Sequence, residues 1–286
     1  MIDLHTHSDR SDGSDPPERI PELAAAAGCG TIALTDHDRL DGVQAARARG
    51  LEVGVRVVSG CELSCATEWG SAHVLAYFVE HREGPLPEVL GRVREWRAER
   101  NRRLAARLAE CGLPVTLEEL EAEAGTGADA VGRPHVAAVL VRKGIVPSLE
   151  DAYETWLGTD RPGYVERRRL GLAEAVELVR ASGGVAVLAH PLSLRLDALR
   201  LDAAVARMAD QGLAGLEAIY GRYPPDVRDD LASLARRHRL VVTGGSDYHG
   251  TYKPDLQVGV GRGDLAVPDG VLDELEARRP PCSGDA

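Results

Sequence analysis

Aromatic side chains are scarce in this 286-residue chain, which has a single Phe, so Leu, Val and Ala must carry the core. No apolar run approaches the ~20 residues that a membrane span needs, and the acidic start MIDLHTHSDRSDGSDP is unlike a secretory leader. These two absences point to a cytoplasmic protein with no membrane partner. Cysteine is present but unpatterned. Cys29, Cys61, Cys65, Cys111 and Cys282 are odd in number and scattered, which argues against a disulfide framework. In CELSC the spacing of Cys61 and Cys65 is not C-x-x-C and no second pair exists, so both read as small packing residues. Positive charge is in deficit, with 34 Lys and Arg against 45 Asp and Glu, a net charge of −11 that speaks against a generic nucleic-acid surface. The arginines do cluster, between Arg92 and Arg107 and at Arg167, Arg168 and Arg169, and the first cluster reads as the solvated face of a helix. Also missing are a P-loop, a G-x-S-x-G elbow and a dinucleotide fingerprint. GGSD follows a strand and opens no GK[ST] helix.

What is present suits one large α/β domain, or one carrying an insertion. IDLHTHS is strand-like, and PPERIPELAAAAG reads as a helix with prolines at its start and a glycine stop. TIALTDHD has the mostly apolar run of a buried parallel strand. LDGVQAARARG is the next helix, and VRVVSGCELS and SAHVLAYFV are two more strands. This β-α-β-α order predicts a parallel sheet or barrel. From about residue 90 to 160 everything reads as helix, which marks an insertion. Alternation then returns, with strands at GVAVLAHP, LAGLEAIY and LVVTGGSD, and the tail VPDGVLDELEARRPPCSGDA ends in a short helix and a frayed end. No internal repeat appears.

The chemistry sits where histidines and acids meet those strands. Alternation sends residues i and i+2 to one side of a strand, so His5 and His7 stand side by side, with Asp9, Asp12 and Asp15 just beyond. Asp36 and His37 end the second strand, Glu62 ends the third and His73 lies on the fourth. His190 ends the strand after the insertion, and Asp247 and His249 end the last. Carboxyl ends of parallel β/α strands converge on one face. The predicted metal set is therefore His5, His7, Asp12, His37, Glu62, His73, His190, Asp247 and His249. His81 and His238 lie in polar segments and are left out. Imidazole and carboxylate without thiolate suit Zn, Mn, Fe or Mg. Nine ligands exceed what one ion takes, and they suffice for two to three divalent ions if Glu62 bridges.

HTHSDRSDG, TDHD, GCELS, AHVLAYF, VLAHP and GGSDYHG together resemble the PHP (polymerase and histidinol phosphatase) family, over the whole chain apart from the helical insertion. GRPHVAAVLV and LGTDRPGYV resemble its TrpH-like branch, phosphoesterases with an inserted helical cap. The resemblance implies an α/β fold, a distorted (β/α)7 barrel from residues 1–90 and 161–286 with an all-helical cap at 91–160. It implies a trinuclear centre in which His5, His7, Glu62 and Asp247 hold one ion, Glu62, His73 and His190 a second, and Asp12, His37 and His249 the third. Asp12 stands where some relatives have histidine. It also implies hydrolysis of nucleoside monophosphates such as AMP or of 3′,5′-bisphosphates, or 5′-to-3′ digestion of short RNA.

Phosphate ester hydrolysis needs a nucleophile at neutral pH, which a metal-activated hydroxide supplies. His190, His249 and Asp247 form the expected catalytic set, with either histidine protonating the leaving oxygen. For substrate, Arg133 and His135 in GRPH reach down from the cap, since an arginine fork matches phosphate. Arg161, Ser8, Ser14 and Tyr248 complete the expected contacts, and Tyr220 is placed either to stack a base or to pack. Removal of phosphate from a nucleotide is the expected function, with exoribonuclease action on short RNA as the alternative. A histidinol-phosphate phosphatase and a non-catalytic metal-binding module are further alternatives. No oligomeric state follows from the sequence.

Overall fold

Seven strands close almost into a barrel, and the reason lies in the first and last of them. β1 (Ile2–Thr6) pairs in parallel with β2 (Thr31–Leu34), which pairs in parallel with β3 (Arg56–Thr67). Beyond β4 (Gly70–Tyr77) come β6 (Val185–Leu188), β7 (Gly215–Tyr220) and β8 (Val241–Gly245), in the order β1-β2-β3-β4-β6-β7-β8. The chain after β8 returns to β1: Asp247 N donates to His5 O at 2.8 Å and His7 N donates to Tyr248 O at 3.0 Å. These coordinates are a computed structural model that describes residues 1–81, 84–125 and 127–281.

The expected all-parallel order is corrected at β4, which runs antiparallel to both β3 and β6. Only Glu68 and Trp69 separate β3 from β4, too few for a parallel crossover. The hairpin carries β3 past the rim, so Glu62 and His73 lie inside strands rather than at strand ends. A short β5 (Leu170–Gly171), which the sequence pattern did not signal, pairs with this extension at Cys65 and Ala66.

Strand alternation divides the core in two. Ala186 and Leu188 of β6 face outward with Ile32, Leu34, Leu63 and Leu216, and are covered by α1 (Arg19–Ala26), α2 (Val43–Val53), α7 (Leu172–Ala181), α8 (Ala198–Asp210) and α9 (Pro225–Arg237). Val185, Val187 and Ala189 face inward with Leu4, Val58, Leu75 and Tyr77, and α10 (Gly270–Glu276) joins them through Leu272 and Leu275. α1 begins three residues after Pro16, later than its prolines suggested.

Residues 86–157 hold α3 (Leu86–Glu110), α4 (Leu117–Ala124), α5 (Arg133–Arg142) and α6 (Leu149–Ala152), then a π-turn at Tyr153–Leu157, with no strand among the described residues there. They share a separate core of Leu104, Leu108, Leu120, Val136, Leu140 and Leu157. α3 joins both units, because its early Leu86, Leu90 and Val93 pack in the outer core instead. Between the two apolar runs its stripe is filled by Arg97, Arg100 and Asn101, all buried. The solvated-face reading of this arginine cluster is therefore wrong at Arg97 and Arg100, while Arg92, Arg102, Arg103 and Arg107 are exposed. Cys29, Cys61 and Cys65 are buried free thiols and Cys111 is a half-buried one; Cys282 and the tail expected to fray lie outside the described residues. Among the described residues, no helix is long and apolar enough to cross a membrane.

Candidate metal centre

Glu62 stands in the middle of the histidines. Its Oε2 lies 3.1 Å from His37 Nδ1, 3.2 Å from His7 Nε2 and 3.4 Å from His5 Nε2. Its Oε1 lies 2.8 Å from His73 Nδ1 and 2.9 Å from His190 Nε2. The hairpin register explains the first of these latter contacts: His73 pairs with Ser64, two residues from Glu62 and so on the same face. His5 and His7 bring their Nε2 atoms within 3.1 Å of each other. Asp247 Oδ1 is 3.5 Å from both and 3.3 Å from His249 Nδ1. Asp12 reaches His249 Nε2 at 3.3 Å and His37 Nε2 at 3.7 Å. The fold thus gathers all nine residues. Three groups have donor atoms mutually within 4.8 Å: His7, Asp12, His37 and His249; His5, His7 and Asp247; and His37, Glu62 and His73. His190 touches Glu62 but stands outside these groups.

The protonation pattern suits cations. Burial pulls His7 and His73 below the ordinary imidazole range and takes His37 down to about 3. Neutral imidazole is the form that ligates. Burial alone would raise the carboxyls of Glu62, Asp12 and Asp247, but the surrounding histidines, and Lys253 at Asp247, hold all three well below the carboxylate range. Burial opposes charge on His5 and His190 too, yet Glu217, Asp247 and Glu62 around His5 and Glu62 beside His190 raise both. Asp12 Oδ1 is buried and makes no hydrogen bond, an anionic acceptor whose nearest charged neighbours are the imidazoles of His249 and His7. Nitrogen and oxygen donors without sulfur, together with this oxygen that no hydrogen bond satisfies, fit divalent cations.

Sequence reasoning missed the residues that aim these side chains. Glu217, fully buried on β7, holds His5 Nδ1 at 2.8 Å and accepts from His190 N at 2.7 Å. Such carboxylate–histidine pairs fix ring orientation. Its inward position in LAGLEAIY was the available signal. Tyr220 OH donates to Asp247 Oδ2 at 2.7 Å, so this buried tyrosine supports an acid instead of offering a face to a base. Asp38, His190 and Asp247 all have positive φ, of 55°, 26° and 57°. Strain of this kind persists where surrounding structure enforces it.

A pocket opens beside Asp12, His37, His73 and His249, and its other wall is basic: Arg97, Arg100, Arg133, Arg167, Arg169 and Lys253. Arg133 is where the sequence placed it, at the start of α5. His135 is not; its ring is buried, accepts Gly132 N at 3.1 Å and packs on Tyr252. Arg161 is exposed and outside the pocket. Ser8 Oγ is committed to Asp36 Oδ2 at 2.7 Å, Ser14 Oγ accepts from Thr251 N at 3.0 Å, and Tyr248 OH donates to Asp15 Oδ2 at 2.6 Å. None of these four lines the pocket. Asp38 accepts from Arg97 and Arg167, whereas Arg100, Arg133 and Arg169 form no ion pair among the described residues.

Residues 3–111 match the PHP domain. Over 273 residues the chain is 33% identical to the 5′-3′ exoribonuclease Rnm of Escherichia coli, covering 95% of this chain and 91% of that protein. The chain belongs to the PHP family. Its PHP relatives include the 3′,5′-nucleoside bisphosphate phosphatase of Chromobacterium violaceum, 30% identical with 97% of each chain covered. Another is the phosphoribosyl 1,2-cyclic phosphate 1,2-diphosphodiesterase of Eggerthella lenta, 36% identical over 87% of this chain and 94% of that one. An inferred metal-dependent phosphoesterase from Bifidobacterium adolescentis superposes with a TM-score of 0.86 at 31% identity, over 98% of this chain and 96% of that one. This PHP protein is accordingly a metal-dependent phosphoesterase with the PHP-type barrel.

Proposed function

We propose that this protein removes a phosphate from nucleotides in the cytoplasm, and that nucleoside 3′,5′-bisphosphates suit it better than AMP. In this reading residues 91–160 form a cap over a barrel of residues 1–90 and 161–286. The carrying observation is the unpaired charge of the pocket. Arg100, Arg133 and Arg169 have no acidic partner among the described residues, beside a cluster able to hold cations. Each phosphate monoester brings about −1.5 to −2 charges at pH 7. One such group satisfies the metal side, and a second is needed to balance three free guanidinium groups.

Two to three divalent ions (Mn, Zn, Fe or Mg) held by the three donor groups would supply activated water near neutral pH and neutralise charge on phosphate oxygens. The rest falls to the chain. Arg133, at the start of α5, and Arg100, on α3, grip the phosphate that stays. Glu217 and Tyr220 aim His5 and Asp247. His190 stands outside the donor groups and is the residue left to hand a proton to the departing oxygen.

The 33% identity to an exoribonuclease favours a second reading, stepwise 5′-to-3′ digestion of short RNA with the same centre. A panel of AMP, 3′,5′-bisphosphates and 5′-labelled short RNA, each with Mn²⁺, Mg²⁺, Zn²⁺ or Fe²⁺, separates the two. Inorganic phosphate released fastest from bisphosphate supports the proposal. Mononucleotides appearing from the RNA end support the second reading. No product from any member refutes both.

A further inference from the structure

We propose that Lys253 is a further substrate-contacting residue, one whose ammonium leaves Asp247 for the phosphoryl oxygens when cations fill the centre. This rests on the phosphoesterase reading above. Lys253 follows Asp247 by six residues and its Nζ pairs with Asp247 Oδ2. That oxygen already accepts from Tyr220 OH at 2.7 Å, so Asp247 keeps a hydrogen bond without the lysine. The other oxygen, Oδ1, faces His5, His7 and His249. Lys253 is a counter-charge to Asp247 on the side away from the imidazoles. Were His5, His7 and Asp247 to hold a divalent ion, its charge would replace that of the ammonium beside Asp247 and leave Lys253 free for a phosphoryl oxygen.

The ammonium then has one direction to go. Lys253 lines the same pocket as Asp12, His37, His73 and Arg133, and its side chain is 22% exposed. Its backbone is pinned from the cap side: Tyr252 OH donates to Glu123 Oε1 of α4 at 3.0 Å, and its ring sits edge-on to His135 of α5 at 5.1 Å. The Tyr252–Lys253 pair therefore joins the helical unit to the metal centre through adjacent residues. A compact charge on a four-carbon stem can swing through this space from a fixed root, which a planar guanidinium fork does less readily.

The test uses the full chain and inorganic phosphate as the probe, titrated calorimetrically into Mn²⁺-loaded and cation-free protein. Mn content per chain and melting temperature are measured alongside. Lys253→Met is expected to keep its Mn content, to bind phosphate about 10- to 100-fold more weakly when Mn-loaded, and to match wild type when cation-free. Lys253→Arg keeps the charge but swings less readily, and is expected to restore only part of the loss. Phosphate affinity equal to wild type in the Mn-loaded state overturns the proposal. So does a loss of Mn that accounts for the weakened binding, since that makes Lys253 a support for Asp247 only. Should Lys253→Met not fold, Tyr252→Phe keeps the charge and loosens its root, and a smaller loss confined to the Mn-loaded state is expected; no loss overturns the proposal. Wild type that hydrolyses the nucleotide panel while Lys253→Met is unchanged sinks only this inference. Wild type that neither hydrolyses nor binds phosphate sinks the parent reading with it.

Discussion

Replacing Asp38 with Asn should weaken the fold. Asp38 is buried and strained at φ 55°; it accepts from Arg97 Nη2 at 2.7 Å, Arg167 Nη2 at 3.2 Å and Ser64 N at 3.1 Å. Burial pushes its carboxyl up, but Arg167 and Arg97 overcome that and bring it down to about 2. Held that far below its ordinary value near 3.8, the carboxylate favours the folded form by roughly 2–3 kcal/mol. Leaving one side of a buried pair without its partner costs ~3–5 kcal/mol. We expect Asp38→Asn to lose about 3 kcal/mol, a melting temperature lower by roughly 6–12 °C in a chain of this size. Because the folded value lies below the unfolded one, the contribution is complete above pH ~4 and fades as pH falls from ~4 towards ~2. Urea unfolding of wild type and variant across that window reads both effects. A difference under ~1 kcal/mol at pH 7, or one that does not narrow in acid, refutes the reasoning.

Three further outcomes follow from the same geometry. Glu62→Gln removes the carboxylate shared by five histidines, so metal content should fall by at least one ion per chain and phosphate release by more than the ~10- to 100-fold that outer partners cost; elemental analysis and a phosphate assay check both. Glu217→Ala frees His5 Nδ1 and His190 N, and metal affinity measured by competition with a chelating dye should drop ~10- to 100-fold while the barrel stays folded. Arg100 is buried, its Nε has no partner, and burial with four neighbouring arginines depresses its pKa well below the ordinary range. Arg100→Met should therefore melt no lower than wild type, yet raise KM for a bisphosphate about 10-fold with kcat little changed.

The histidine cluster was legible because His5, His7, His37, His190 and His249 fall at or just past the ends of apolar runs, where a β/α fold collects them. Glu62 and His73 were legible only as strand residues. Their contact comes from a hairpin, which the expected strands VRVVSGCELS and SAHVLAYFV, six residues apart, did not signal because both extend further than their apolar pattern. The arginines of α3 were misread because charge was weighed above period. Val93, Arg97, Arg100 and Leu104 follow one another at three- and four-residue steps, so the helix that buries Val93 and Leu104 must bury the arginines between them. Ser8, Ser14 and Tyr248 were close to the centre in sequence, but each had a nearer acid or amide to satisfy. That competition depends on the loop's path and leaves no trace in spacing. Glu217 and Asp38 look like ordinary acids until the partners that bury them, from distant strands and helices, are in place.

Anomalous diffraction from crystals grown with Mn²⁺ tests the metal centre most directly. Two or three anomalous peaks should appear, each about 2.0–2.3 Å from donor atoms of His7, Asp12, His37 and His249, of His5, His7 and Asp247, or of His37, Glu62 and His73. No peak at any of these groups in a protein that keeps the same fold would contradict the account.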